Sequence, residues 1–354
     1  MDRTTVEIYE REASTFEANR DPERNRDRAR AFGATVDDGL LRADLGCGPG
    51  FHVGDLGEPV IALDAARAMV RRTLERNPHA LPVVADVEAL PLRTSGLAGS
   101  WAQRSYVHVP ASRIPMALHE LRRVTAVGAP VELAVFRGDM ELDEWPGADL
   151  SGRRFSHLPE QRWFDVAVGA GFDVEGHELD RHGIRLRLRR ERSLADTVGP
   201  ELRVLVCGLN PSLHAADSGI PFLTSNNRFW PAARAAGVTS VDRDPLLALT
   251  RDRLGMTDIV KRATPRAAEL TTAEYRSGLD RLDRLCAWLR PGVVVMVGLA
   301  GWRAAADRRA VAGLQDRALG GRPVYVMPST SGLNAATSLD ALADHLRRAV
   351  STAE

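Results

Sequence analysis

The sequence predicts an α/β protein built as two consecutive domains. Short apolar runs alternate with stretches of helical periodicity along the whole chain. Each half also contains an apolar run that breaks into a turn rich in Gly, Asn or Pro, DLGCGPG at 44–50 and GLNPS at 208–212. A stretch of small residues with Gly and Pro, SLADTVGP at 193–200, lies between the halves, and the strand pattern restarts just after it. These observations set domains at 1–192 and 201–354, joined by a linker at 193–200.

In the first half, apolar runs at 40–45, 59–63, 81–84, 99–107, 131–136 and 184–188 read as strands. Helical periodicity is clearest at 112–124. A helix-like segment at 159–169 precedes 171–179 and 183–190, which read as an antiparallel hairpin closing the sheet. In the second half, strands are expected at 202–207, 293–297 and 323–327, with a strand or turn at 256–260. Helices are expected at 228–236, 245–253, 272–289, 300–308 and 338–349. Thr271 and Glu274 have the spacing of a capping box, in which hydroxyl and carboxylate satisfy free N–H groups at a helix start.

Composition narrows the class. The chain has 354 residues, 44% hydrophobic and 27% charged, with 47 basic and 47 acidic side chains, as expected of a globular protein with two cores. The first 200 residues carry a modest negative charge and the remainder an equal positive one, which is compatible with a nucleic-acid partner without requiring one. No apolar run approaches the roughly 20 residues of a membrane helix, and the charged N-terminus lacks a secretion pattern. A cytoplasmic monomer without membrane contact is the expectation. Cys47, Cys207 and Cys286 are too scattered for a disulfide framework or a four-ligand metal site, and no metal is expected.

The first turn, Asp44-Leu45-Gly46-Cys47-Gly48-Pro49-Gly50, lets the backbone approach a bound group closely. Asp64 ends the second strand, where a carboxylate can take two ribose hydroxyls, and Asp86 follows the third in a position suited to an adenine amino group. On DLGCGPG, LDAARAMV and ADVEALPL, the block from about 10 to 190 resembles the class I S-adenosylmethionine-dependent methyltransferases. That resemblance implies a Rossmann-like seven-stranded sheet with S-adenosylmethionine as cofactor. Its methionine part would lie near Asp44 and Gly46, its ribose on Asp64 and its adenine beside Asp86 and Val87, with Cys47, Gly48 and Gly50 also in the cofactor-binding turn. Gln103, Arg104, Tyr106 and His108 would line the acceptor side. The motifs of DNA base methyltransferases, a [DN]PP[YFW] element or a Pro-Cys pair, are absent, so the acceptor stays open. His108 and His119 read as cleft or surface histidines more readily than as a metal pair. Arg181, His182, Arg185, Arg187, Arg189, Arg190 and Arg192 form a basic strip, either a solvated sheet face or a phosphate-contacting patch.

The second half carries GLNPS at 208–212, IPF at 220–222, NRFW at 227–230, GMTDIVKR from 255 and MPSTSGLNA from 327. In that order and spacing they resemble the mismatch-specific uracil and thymine DNA glycosylases, a branch of the uracil-DNA glycosylase superfamily. The resemblance implies an α/β/α sandwich that hydrolyses an N-glycosidic bond in double-stranded DNA containing a mismatched or damaged base, with no cofactor. Asn210 corresponds to the catalytic asparagine that holds the attacking water, and Gly208, Leu209, Pro211 and Ser212 complete its turn. Phe222 matches the aromatic that stacks on the extruded base, and Asn227 is a candidate for a base edge. In the loop at 328–334, Ser329, Thr330 and Ser331 offer hydroxyl or N–H groups to phosphates, Gly332 allows close approach, and Leu333, next to Asn334, is the wedge that fills the gap left by the flipped nucleotide. Ser212 stands where glycine is usual, and the expectation is that it narrows the pocket or alters water placement. The wedge loop is a hybrid of two branches, and uracil, thymine opposite guanine and bulkier damaged bases all stay open as substrates. The alternative is a methyltransferase of unknown acceptor whose C-terminal domain only binds nucleic acid.

Overall fold

The computed structural model describes residues 1–145 and 149–352. The chain divides into two compact units, one of Met1–Val168 with Phe172–Glu191, the other of Gly169–Gly171 with Arg192–Glu354. No helix among the described residues is long and apolar enough to cross a membrane.

Among the described residues, the first unit is built on a nine-stranded sheet of β1 (Arg42–Leu45), β2 (Val60–Asp64), β3 (Leu81–Val84), β4 (Gly99–Gln103), β5 (Pro130–Arg137), β6 (Met140–Leu142), β7 (Phe155–Leu158), β8 (Phe172–Leu179) and β9 (Gly183–Arg190). Strands β3, β2, β1, β4 and β5 run parallel in that order, and the antiparallel β9 and β8 continue from β5. Those seven strands match the expected sheet. The other two correct the count: β6 and β7 form a short antiparallel ribbon, and β7 pairs with the last two residues of β5, at Phe136 and Arg137, on the edge where the pairing with β4 has ended at Ala134. They are only three and four residues long and lie in a stretch without period-two alternation, so no apolar pattern announces them.

The arginines of β9 settle as a paired face. Arg185 bonds Glu132, Arg187 bonds Glu178 and Arg189 bonds Glu175, while Arg190 is buried against Ser95 and the Thr125 carbonyl. Glu178 stands in register with Arg185 on the neighbouring strand, and Glu175 lies at the bulge between Val174 and Gly176. Opposite charges thus meet across two strands, the arrangement of a paired sheet face.

The second unit has five strands in the order β11-β10-β12-β14-β13: β10 (Val204–Gly208), β11 (Leu254–Asp258), β12 (Val293–Val297), β13 (Gly313–Leu314) and β14 (Val324–Met327). The first four are parallel and buried along their whole length, which requires helices on both faces. Alternate residues part to opposite cores. Leu205, Cys207, Val294 and Met296 pack with Leu279, Leu282 and Trp302, from helices Thr272–Leu289 and Leu299–Ala305. Val204, Val206, Val293 and Val295 pack with Phe229, Trp230 and Leu346, from helices Phe229–Ala235 and Leu339–Ser351. This is an α/β/α sandwich, and each large apolar side chain so buried contributes roughly 1.5–3 kcal/mol. Thr271 and Glu274 make the expected capping box.

Candidate active sites

In the second unit, the C-terminal ends of β10, β11, β12 and β14 deliver their loops to one edge of the sheet, the side where parallel α/β sheets form clefts. Asn210 follows β10. Its Nδ2 donates to the carbonyls of Pro211 at 3.2 Å and Arg262 at 3.1 Å, and to Thr264 Oγ1 at 2.8 Å. Three acceptors around the nitrogen fix the amide's orientation and leave Oδ1 as the acceptor for a water.

Gly208 is required by close approach, because a Cβ there would overlap Oδ1 of Asp258 and touch the rim of Phe222. Phe222 holds a left-handed backbone, φ +56°, uncommon for an aromatic residue, and its ring stacks on Phe229 with centroids 4.3 Å apart. Asn227 turns inward: its Oδ1 accepts from the Phe229 N–H at 2.9 Å, a local turn bond that leads into the following helix and leaves its NH2 free of that bond. Ser212 differs from expectation. Its backbone takes N-cap geometry and its Oγ accepts from the Ala215 N–H at 3.2 Å, so the hydroxyl starts helix Leu213–Ser218 instead of narrowing a pocket.

The loop after β14 is scaffolded by its own side chains. Asn334 Nδ2 donates to the Ser329 carbonyl at 2.8 Å, while the hydroxyls of Ser329 and Ser331 accept from the N–H groups of Ser331 and Leu333. A Cβ on Gly332 would overlap Asn226. Leu333 projects from this frame with 97% of its surface exposed. Thr330 is buried, which corrects its expected phosphate contact: its carbonyl instead accepts from the Arg228 N–H at 2.9 Å. Sequence reasoning missed the role of Arg228, whose guanidinium gathers the carbonyls of Ser331, Asn334 and Thr337 and clamps the loop. Leu209, Ser329 and Asn334 share a cavity of about 440 Å³ with Gly298 and Leu299, whereas Asn210, Phe222 and Asn227 lie outside its wall.

A buried charge cluster, also unforeseen, underlies the site. Asp196 accepts from Lys261 Nζ at 2.6 Å, Arg281 Nη1 at 2.8 Å and Thr257 Oγ1 at 2.6 Å. Burial works against its charge, yet Arg281 and Lys261 hold its carboxyl below the usual range. Asp258, at the end of β11, is equally buried, but its carboxylate receives no hydrogen bond from a described residue, and burial pushes it up to about 6. The signal was the charged pair within an otherwise apolar DIVK run.

In the first unit, a cavity of about 710 Å³ opens beside the turn after β1. Asp44, Gly46, Cys47, Gly48 and Asp64 line it. Gly50, Asp86 and Val87 do not: Val87 is buried, and the carboxylate of Asp86 is taken by the amino group of Met1 at 2.6 Å. Asp64 accepts from the N–H groups of Gly48 and Ala66, both at 2.9 Å, one on each oxygen. Burial raises Asp64 to about 6 and, with the charge of Asp64 adding to it, Asp44 to about 8. Two buried carboxyls of this kind, one without a hydrogen bond from a described residue, fit a cationic ligand that also presents vicinal hydroxyls. Burial also pushes the Cys47 thiol up, so it is no nucleophile.

Gln103, Arg104 and His108 line the far end, whereas Tyr106 is wholly buried and does not. His108 Nδ1 faces the Arg154 carbonyl at 2.7 Å and therefore carries the proton, so Nε2 accepts from the Tyr9 hydroxyl at 2.9 Å. Burial lowers it to about 4, and with both nitrogens engaged it is a neutral structural histidine, with no nitrogen left for a metal.

Comparison with known proteins agrees with the two units. Residues 195–352 match the uracil DNA glycosylase superfamily, and residues 43–128 match a methyltransferase domain. Among solved structures, the 1,6-didemethyltoxoflavin-N1-methyltransferase of Burkholderia thailandensis is 13% identical, with a TM-score of 0.42 over 52% of this chain and 88% of that one. The [4+2]-cyclase SpnF is 16% identical, with a TM-score of 0.43 over 53% and 96%. A SAM-dependent methyltransferase from Aquifex aeolicus is 19% identical, with a TM-score of 0.38 over 50% and 97%.

Proposed function

We propose that this chain, which joins a methyltransferase domain to a domain of the uracil DNA glycosylase superfamily, is a monofunctional DNA glycosylase that hydrolyses the N-glycosidic bond of uracil, mispaired thymine or a damaged pyrimidine. The observation that carries the reading is the orientation of Asn210, whose amide nitrogen is held by three acceptors. Its Oδ1 then accepts a hydrogen bond from a water and aims that water's lone pair at the anomeric carbon. An asparagine cannot take the proton, so the bond must loosen first, with positive charge growing on the sugar and negative charge on the leaving base. Turnover is therefore slow and favours good leaving groups. The base must be extruded to be reached, and a weak pair lowers that cost, so mismatches are preferred. Leu333, exposed on a clamped loop, suits the gap such a base leaves in the duplex.

The test is incubation with duplexes carrying G:U, G:T or a damaged cytosine, followed by alkaline cleavage. Product is expected from at least one duplex and is lost in Asn210→Ala. No product from any duplex under single-turnover conditions would overturn the reading.

A second activity is favoured by the buried carboxyls of Asp44 and Asp64. S-adenosylmethionine, held by these residues and the Gly46–Gly48 turn, would supply an electrophilic methyl group to an acceptor in the same cavity, where approach and alignment do the work. Asp64→Ala should abolish its binding. If the cofactor binds and no base is ever released, methyl transfer becomes the principal activity and the C-terminal domain a nucleic-acid-binding module.

A further inference from the structure

The cavity of the first unit is charged oppositely at its two ends. At the turn after β1 stand the carboxyls of Asp44 and Asp64. At the far end, Arg24, Arg104 and Arg185 enter the wall together. Arg104 pairs with Asp180 at 3.3 Å and Arg185 with Glu132 at 2.8 Å, while Arg24 has no ion pair among the described residues. Three guanidiniums thus face two carboxylates. Burial, together with Arg24 and Arg185, pushes the Arg104 guanidinium down, against the pull of Asp180. The backbone of Arg104 is left-handed, φ +57°, a conformation a bulky residue adopts only where its surroundings impose it.

The same end is walled with rings. Phe136 and Trp145 lie 4.9 Å apart, and Trp145 meets Phe155 at 5.8 Å and His182 at 5.6 Å, both edge to face. The Arg104 guanidinium lies over Phe136, 4.9 Å from its centroid. A ring wall alone would suit a cation as well as a flat neutral molecule. The surplus guanidinium decides against a cation: Asp180 and Glu132 balance Arg104 and Arg185, and the uncompensated charge of Arg24 would repel a further positive charge. A planar guanidinium beside aromatic rings offers two parallel N–H donors to an anion and a flat surface to the ring that bears it.

We propose that this end of the cavity binds a planar aromatic molecule carrying a carboxylate or an anion of similar geometry, beside the ligand held at the acidic end. The ring lies against Phe136 and Trp145, and the anion meets Arg104 with Arg24. The proposal deepens the methyl-transfer reading of this cavity, but the recognition it describes stands without the cofactor.

The test uses benzoate, 2-naphthoate and indole-3-carboxylate, each against its own carboxamide, titrated calorimetrically into the full chain with and without S-adenosylhomocysteine. At least one carboxylate should bind about 10-fold or more tightly than its amide, and Arg104→Gln should remove about that factor. Amides that bind as well as the acids, or no binding by any acid in either condition, would overturn the proposal. Failure of S-adenosylhomocysteine to bind while an acid does would instead remove the cofactor reading and leave this one standing. If Arg104→Gln does not fold by circular dichroism, the acid-to-amide ratio on the unaltered chain decides.

Discussion

The side-chain nitrogen of Asn210 lies 2.8 Å from the hydroxyl oxygen of Thr264, and the Thr264 hydroxyl donates its own hydrogen to the Arg266 carbonyl at 3.0 Å. With its hydrogen so directed, Thr264 can only accept from Asn210, which locks the amide against a flip. Thr264→Val keeps the shape and removes that lock. Base release under single-turnover conditions should fall about 10-fold, against a loss on the order of 100–1,000-fold for Asn210→Ala. Because Thr264 acts through Asn210, Thr264→Val should cost nothing further in the Asn210→Ala background. Additive losses would show that Thr264 serves some other purpose.

Leu333 is almost wholly exposed, so its side chain contributes little to the folded state. Leu333→Ala should leave thermal stability within about 0.5 kcal/mol of the parent. Base release from a duplex should nevertheless drop about 10-fold, and release from a single strand should change much less, because only a duplex must be wedged open. Equal losses on both substrates would count against the wedge.

Legibility differed between frame and site. The runs at 293–297 and 272–289 predict strand and helix correctly to the residue, because five consecutive β-branched or sulfur-containing residues and an 18-residue amphipathic stretch have no competing interpretation. Asn210 and Leu333 stand out in the sequence because Gly-Leu-Asn-Pro and Ser-Gly-Leu-Asn are unusual strings in fixed order. Ser212 was misread because a serine after Asn-Pro can face a pocket or cap a helix, and only the neighbouring N–H of Ala215 chooses between them. Arg228 and Asp196 were opaque for a different reason. Their partners lie up to 109 residues away, and pairing at that distance leaves no local pattern.

Asp196 and Asp258 should respond oppositely to pH. Asp196 is depressed in the folded protein, so its contribution is present above its unfolded value and fades as pH falls. Asp196→Asn strands Lys261 and Arg281 in the interior and should destabilise the second unit by about 3–5 kcal/mol at pH 7.5. Asp258 is raised to about 6, so the folded chain retains a proton that the unfolded chain has lost, and its effect becomes unfavourable as pH climbs from 4 through 6. Asp258→Asn should therefore stabilise at pH 7.5 by at most about 3 kcal/mol, the equivalent of two pKa units, with the gain shrinking toward pH 4. Calorimetric unfolding of the full chain across that range checks both signs. A gain for Asp258→Asn that grew as pH fell would contradict the assignment.

On the proposed methyl-transfer reading, Asp44 would make cofactor binding a proton-linked event. Burial raises its carboxyl to about 8, so at pH 6 the empty cavity holds it neutral. A cationic ligand favours the ionised form, so binding must release a proton, and affinity should rise between pH 6 and pH 8 and level off above. The thermal shift produced by S-adenosylmethionine should follow the same course, since ligand stabilisation tracks affinity. Calorimetry in buffers of different ionisation enthalpy should register up to one proton released at pH 6.5 and almost none at pH 9. Asp44→Asn should bind more weakly at pH 8 and lose the rise between pH 7 and pH 8, keeping only the part near pH 6 that belongs to Asp64. An affinity that stayed flat from pH 6 to pH 9 in the parent chain would mean that the ammonium and sulfonium charges do not reach Asp44.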